Sequence, residues 1–565
     1  MKKLVPILVV FGTGCGHCGS GGAADTQALA LVAETTPQSA VGVAAMSGPG
    51  TMLTAFGERL SEETRSMILE QVEFEAFDPA SYIEFGVDLN APAGFVILAP
   101  DPLVVAVTLG MHGTPAEARD AMVARLEQMD PPEGAMQPTE VGSTPGLFVE
   151  DKFVILFDED RIAFIVADLP WDVEDAHGSL AEYATSYLSD EGEDFASAND
   201  LATAANFRGD PIMTAVLNPA TVAELIGEIG PAPGLDEVTA IGFAIEANSD
   251  RLLVQTRSVV VADSQFLSIL DGGGNFGDAT NHVPGPIEFG VRINLNLEAA
   301  LAMVQAELEE MNAGSEFDDA LSGANEATGL DVQEDVINNL TGEIGLFLQT
   351  IPNEQNINEA RAVIFFGVKD TEAASNVIVE LVEATGGMAT VREVGDTNMY
   401  VVPAGPTVGF AAYDGYVWIA ADADALAAII GGDSTGFTQG SDYAAASEVF
   451  GHDHVGGSFL DFTGQFGELV LSEMEDEEPG AREFLEAIQS FSYEADVDGN
   501  VMTADAVLNW NGESVADAFM MAVESGINDE APTQVNIEPP SQQVVPVNPA
   551  NTVAPQQPAT GGGKP

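Results

Sequence analysis

The stretch VVAVTLGMHGTPAEARDAMVARLEQ, residues 104–128, decides the fold because the chain contains a version of it twice. Its counterpart is AVIFFGVKDTEAASNVIVELVEATG, residues 362–386. Each opens on a run of β-branched and apolar residues, as a buried strand does. Each then passes through a Gly and a Thr with Glu close behind, the signature of a helix start. Each ends with apolar residues at helical spacing. One such block is an ordinary strand–helix connection. Two of them, separated by roughly 250 residues, raise the question of a repeat that runs through the whole chain.

Four further blocks recur in the same order. Gly86-Val87-Asp88-Leu89 returns as Gly329-Leu330-Asp331-Val332, and FVILFDEDRIAFIVAD at 153–168 returns as VGFAAYDGYVWIAAD at 408–422. DPIMTAVLNPATVAELI, from Asp210, parallels GGSFLDFTGQFGELVL, from Gly456. VTAIGFAIEANSDRLLVQTRSVV, from Val238, parallels IQSFSYEADVDGNVMTADAVLNW, from Ile488. Five blocks in one order, each shifted by roughly 240–260 residues, predict two homologous domains, 36–271 and 283–527, joined by a Gly-rich linker at 272–282. The length of 565 residues agrees with two or more domains.

The fold class expected for each domain is α+β, a mainly antiparallel sheet covered by helices. Turn dipeptides such as Asp414-Gly415 and the run Asp498-Gly499-Asn500 join neighbouring strands, which makes hairpins. Strands such as 153–157 and 416–420 are apolar on both faces, so both faces of the sheet need cover. Stretches 114–130, 218–228, 297–312, 371–386 and 514–526 carry a helical apolar stripe that could supply it. The tail 528–565, with eight prolines, Gln, Asn and a GGG run, has too little apolar surface to form a core and is expected to be disordered.

The charge balance is extreme: 90 Asp+Glu against 17 Lys+Arg, a net −73. Such a charge opposes compaction unless counterions screen it. At molar salt the screening length falls to about 3 Å, and a carboxylate-rich, lysine-poor surface becomes tolerable. Adaptation to high salt is one reading; a surface for Ca²⁺ or a cationic partner is the other. Nucleic acid is excluded as a partner, since it requires a basic footprint.

At the N-terminus Lys2 and Lys3 precede an apolar run, LVPILVVF at 4–11, far shorter than the roughly 20 residues that span a bilayer. Small residues Gly12, Thr13 and Gly14 follow, in the manner of an export signal. Gly12-Thr13-Gly14-Cys15 resembles the lipobox of bacterial lipoproteins, with Gly12 where that family has Leu. The resemblance implies cleavage between Gly14 and Cys15, acylation of Cys15, a signal peptide over 1–14 and a flexible tether over 15–35. A plain cleaved signal is one alternative. Another is a redox dithiol, because Cys15 and Cys18, the only two cysteines, read CGHC; a thiolate of that kind needs a helix N-terminus, and GSGG follows instead. The order of helix, GVDL-type turn, paired strands, TPAEA-type helix and hairpin is also similar to uncharacterised tandem α+β domains of exported bacterial proteins. That similarity implies fold and location, with no active site to carry over.

Chemistry is sparse. Gly432-Asp433-Ser434-Thr435-Gly436 has the spacing of a nucleophile elbow, but it follows a helix where the elbow needs a strand. Gly272, Gly274 and Gly277 match a dinucleotide fingerprint without its strand or helix. His452 and His454 flank Asp453 and are the weak metal candidates, with Asp461 as a distant third ligand. Asp422/Asp424 and Asp496/Asp498 are carboxylate pairs that turns account for. His112, His177 and His282 are isolated. No catalytic residue, metal or cofactor is assigned. The expectation is therefore a lipid-anchored, extracytoplasmic, non-catalytic protein that binds a partner or acts as a surface scaffold, with the membrane as one partner and an envelope protein or small ligand as another. Its alternatives are a carrier of apolar ligands in a cavity between sheet and helices, and a hydrolase whose site is assembled from distant residues.

Two measurements check this reading. The Cys15→Ser protein is expected in the soluble fraction after cell fractionation, and its retention on membranes rejects the anchor. Dilution below about 0.1 M salt is expected to lower the Tm in calorimetry as carboxylate repulsion is unmasked; a Tm indifferent to salt rejects the electrostatic account.

Overall fold

A computed structural model of the chain describes residues between 28 and 511, leaving out internal stretches of which the longest are 67–74, 168–175, 222–236, 271–277, 351–360, 433–448 and 474–484. Contacts group Met1–Ala522 as one compact unit. The expected tail and the helix expected at 514–526 lie outside the described residues.

The strands in chain order are β1 (Gly42–Met46), β2 (Val87–Asp88), β3 (Ala93–Pro100), β4 (Leu103–Met111), β5 (Met136–Val141), β6 (Thr144–Val149), β7 (Phe153–Asp158) and β8 (Arg161–Ala167). Then come β9 (Met213–Leu217), β10 (Val238–Ala247), β11 (Arg251–Val260), β12 (Phe289–Asn294), β13 (Leu340–Thr350) and β14 (Arg361–Val368). The last are β15 (Thr390–Val394), β16 (Thr397–Pro403), β17 (Thr407–Tyr413), β18 (Tyr416–Ala420), β19 (Gly456–Asp461), β20 (Ile488–Asp498) and β21 (Val501–Trp510).

All of them join one antiparallel sheet. From β11 outward the neighbours are β10, β9, β1, β3, β4, β8, β7, β6 and β5. From β21 outward they are β20, β19, β12, β13, β14, β18, β17, β16 and β15. The strand β2 adds a short pairing to β4. The two series meet where β11 pairs with β21 along its length. Among the described residues β5 and β15 each have one neighbour, so they are the sheet's edges. Pro138 on β5 and the charged Arg392 and Glu393 on β15 blunt those edges against further pairing.

Local chemistry explains the connections. Asp414 and Gly415, at φ of 50° and 80°, form the two-residue turn between β17 and β18. The helix α1 (Pro49–Arg59) precedes β2. In α2 (Pro115–Gln128) the start is a reciprocal box: the Thr114 amide and hydroxyl donate to Glu117 Oε2 at 3.0 and 2.8 Å, and the Glu117 amide donates back to Thr114 Oγ1 at 3.4 Å. The remaining long helices are α3 (Ala176–Leu188), α4 (Leu297–Glu310), α5 (Gly314–Thr328), α6 (Thr371–Ala384), α7 (Ala423–Gly431) and α8 (Gln465–Glu473). Helix α6 starts differently from α2: Asp370, one residue ahead of Thr371, accepts from the amides of Glu372 and Ala373. Thr371 instead accepts from the Gly415 amide and ties the helix to the β17–β18 turn. Of the stretch expected as a helix at 218–228, residues 219–221 are helical and 222 onward lie outside the described residues. Of the expected linker, Asp278–Asn281 forms a 3₁₀ turn with Ala279 and Thr280 buried.

One face of the sheet carries the core throughout. Beside β1, β3, β4 and β9 it is built from Val43, Ala45, Val96, Ala106 and Val216, closed by Leu29, Val32 and the α3 residues Leu180, Ala184 and Tyr187. Beside β13, β14 and β18 it is built from Phe347, Val363, Phe365 and Trp418, closed by Leu426, Ile429 and Ile430 of α7 and by Phe450. The opposite face is covered toward the edges, by α2 over β6 and β7 and by α6 over β17 and β18. Gly345 on β13 shows how tightly the core face is packed, since an added Cβ would overlap the Phe365 ring on β14. Gly345→Ala is therefore expected to destabilise the protein by about 1–3 kcal/mol in chemical denaturation; an unchanged midpoint rejects this packing.

Candidate functional site: an apolar trough on the sheet

Successive side chains of a strand point to opposite faces, so register dictates what lies opposite the core. On β1, Ala44 sits between Ala215 of β9 and Phe95 of β3, and Met46 sits between Met213 and Ala93. Beyond β3, Val107 of β4 lies opposite Phe95. These small and medium side chains form a trough of about 540 Å³. Every lining residue belongs to β1, β3, β4, β8 or β9, and none carries a charged, hydroxyl or amide side chain.

The depth comes from Gly42, Ala44, Ala93 and Ala215. The rim comes from Phe95 and Val166, which remain 43% and 36% exposed. Large apolar side chains left in water beside a concavity mark a surface made to be covered. The main chain offers a ligand little here: all five lining strands have a neighbour on both sides, so their amides and carbonyls face other strands. The trough lies on a face lined by strands alone, whereas the carrier reading of the sequence placed its cavity between sheet and helices.

A second concentration of chemistry is buried in the other half of the chain. Arg292 on β12 is fully buried and donates through Nε and Nη2 to Glu343 Oε1 at 2.9 and 2.5 Å. Its Nη1 reaches Thr280 Oγ1 and the Phe450 carbonyl, each at 3.3 Å, and the Tyr416 hydroxyl donates to Glu343 Oε2 at 3.1 Å. Burial, and then the Glu343 carboxylate, push the Tyr416 phenol up. Every partner is internal, so this network ties elements together. The other displaced titrations have structural causes too. Burial raises Tyr82, Tyr187 and Tyr493; burial followed by Arg208 lowers Arg257. Hydrogen bonds from the Thr114 amide and hydroxyl lower Glu117. None of these groups lines the trough.

Gly14, Cys15, Cys18, Ser434, His452 and His454 lie outside the described residues. Asp422 accepts from the Asp424 amide and caps α7, while Arg361 and Arg392 pair with the two carboxylates at 3.5 and 2.6 Å. Asp461 accepts from the Thr463 amide and hydroxyl, and Asp496 accepts from the Val497 amide. His177 stacks on Phe148 with ring centres 4.5 Å apart, and His282 lies 3.7 Å from Asp414. The His112 amide donates to the Gly86 carbonyl. Among the described residues no group of three His, Cys, Asp or Glu is placed to hold a metal ion, and no helix is long and apolar enough to cross a membrane.

No protein-family model matches the chain, and no curated protein matches it in sequence. Solved structures of TP0453 are similar to part of it. Crystal forms IV and III each share 9% identity over 42% of this chain, covering 82% and 84% of theirs, with a TM-score of 0.23. Crystal form I gives 5% identity over 40% of this chain and a TM-score of 0.21. A likeness of this size carries no argument about fold or function.

Proposed function

We propose that this chain is an exported, lipid-anchored protein of two homologous α+β modules, and that it binds, without catalysis, a single aliphatic chain of the kind membrane lipids carry. The observation that carries the proposal is the trough. A polar ligand would give up its hydrogen bonds to water and find no replacement among these side chains. A partner strand has no free edge to join at these interior strands. An aliphatic chain needs neither. Each methylene buried contributes about 0.8 kcal/mol, so ten give about 8 kcal/mol before the costs of ordering.

The two-module reading is supported by the sheet itself. The two strand series outward from the β11–β21 seam correspond one to one in chain order. At the seam Gln255 lies opposite Asp505, and these two are related by the same offset that relates Val238 to Ile488. A pairing in which equivalent residues face each other is what a two-fold contact between copies produces. Gly86 and Gly329, equivalent in the repeat, share a left-handed φ of 76° and 77°. The lipid anchor rests on the residues around Cys15, and it would hold the trough beside a source of aliphatic chains.

Full-length Cys15→Ser protein, free of its own acyl groups, is expected to bind the fluorescent fatty acid parinaric acid saturably in molar salt. Phe95→Asp or Val166→Asp, at the exposed rim, is expected to weaken that binding at least about ten-fold with the Tm little changed. Absence of saturable binding, or binding indifferent to both substitutions, rejects the function.

A further inference from the structure

We infer that only the first of the two equivalent sheet faces is built to take the aliphatic chain, so that a duplicated protein holds one ligand per polypeptide. The inference rests on the function proposed above. Pairing register assigns the equivalent positions without reference to side-chain similarity. Ile241 lies opposite Leu217 as Phe491 lies opposite Leu460. Leu217 lies opposite Gly42 as Leu460 lies opposite Phe289. Gly42 then lies opposite Ile97 as Phe289 lies opposite Leu348.

Following these ladders, the residues that give the trough its depth are replaced by larger or polar ones. Gly42 becomes Phe289, Ala44 becomes Val291 and Ala93 becomes Ile344, while Ala215 becomes Ser458. The first three substitutions put side chains where the first half leaves space. The fourth places a hydroxyl where an aliphatic ligand would strip it of water. At Gly42 an added Cβ would meet the end of the Leu217 side chain, which would have to move aside.

The core side of the same strands differs in a matching way. Ala45, buried in the first half, is equivalent to Arg292, whose ion pair with Glu343 and bonds to Thr280 and Phe450 pin β12 from beneath. Strand β1 therefore carries Gly42, Ala44 and Ala45 in succession at its start and middle, and β12 carries Phe289, Val291 and Arg292. One module has become the filled, ion-paired partner; the other kept a hollow.

Native mass spectrometry of the full-length Cys15→Ser protein with parinaric acid tests this. One ligand per chain is expected at saturation. Giving the first half the side chains of the second, Ala44→Val with Ala93→Ile, is expected to weaken binding at least about ten-fold, and Ala44→Val alone serves if the pair fails to fold. Val291→Thr in the second half is expected to leave affinity and stoichiometry unchanged. Two ligands per chain, undiminished binding by the Ala44 variants, or loss of binding with Val291→Thr overturns the inference while leaving the function standing. No ligand at all overturns the function instead.

Discussion

The pairing of β11 with β21 is the contact on which the rest of the molecule depends. Each of these strands closes a series of ten, and each would otherwise present a long row of unpaired amides and carbonyls to water or to another chain. Pairing them with each other removes both edges at once. The ends of the seam are fastened by equivalent bonds: the Val260 amide donates to the Asn500 carbonyl, and the Trp510 amide donates to the Asp250 carbonyl, both at 2.9 Å. On the core side Gln255 is buried, and its side-chain amide exchanges two hydrogen bonds with the backbone of Arg208. Apart from the two-residue β2, which pairs only with β4, the strands left with one neighbour among the described residues are β5 and β15, at the far ends.

A sheet this wide with apolar residues on both faces needs two layers of cover, and the helices among the described residues do not supply them everywhere. They are spent toward the edges, where α2 and α3 lie against β7 and where α6 and α7 lie against β17. There the strands are sandwiched. Toward the middle, helix and loop residues close the core face, and β1, β3, β4 and β9 keep an apolar opposite face with Phe95 part-exposed. The trough is thus a consequence of topology: interior strands supply a surface with no free backbone groups, and small side chains on β1 make it concave.

The sequence made the strands, the helix starts and the hairpin turns legible, because each is a local signal. It did not reveal the order of the strands. Strand β1 pairs with β9, far along the chain, and no local pattern encodes such a partner. Apolar runs alone also leave the register between the blocks at 104–128 and 362–386 open by one residue. Matching Val104 with Ala362 puts Thr114 against Glu372, whereas the ladders place Gly110 at Gly367 and Thr114 at Thr371. The cause is physical. When both faces of a strand are apolar, the alternation that normally fixes register is gone, and a shift of one costs nothing in the pattern. For the same reason the trough was invisible: GVAAM reads as a weak buried strand until its neighbours show that the alanines point to different faces. The Thr-Glu signal named α2 correctly, yet α6 uses Asp370, since a carboxylate one residue earlier caps at least as well as the hydroxyl.

The extreme acidity and the trough act on separate parts of the molecule but respond to the medium in one direction. Carboxylates repel through solvent, and added salt shortens the range of that repulsion. Apolar burial gains when excluded salts such as sulfate or phosphate make water a poorer host for hydrocarbon. For a chain with a net charge of −73 and an uncharged hydrocarbon-lined trough, the proposed binding of an aliphatic ligand would therefore be favoured by the same conditions that favour folding. Placing the charge on turns, helix starts and exposed helix faces, as with Asp414, Asp422 and Glu117, is what keeps the two effects apart. A carboxylate in the trough would set them against each other, since salt cannot screen a charge sealed under a hydrocarbon chain.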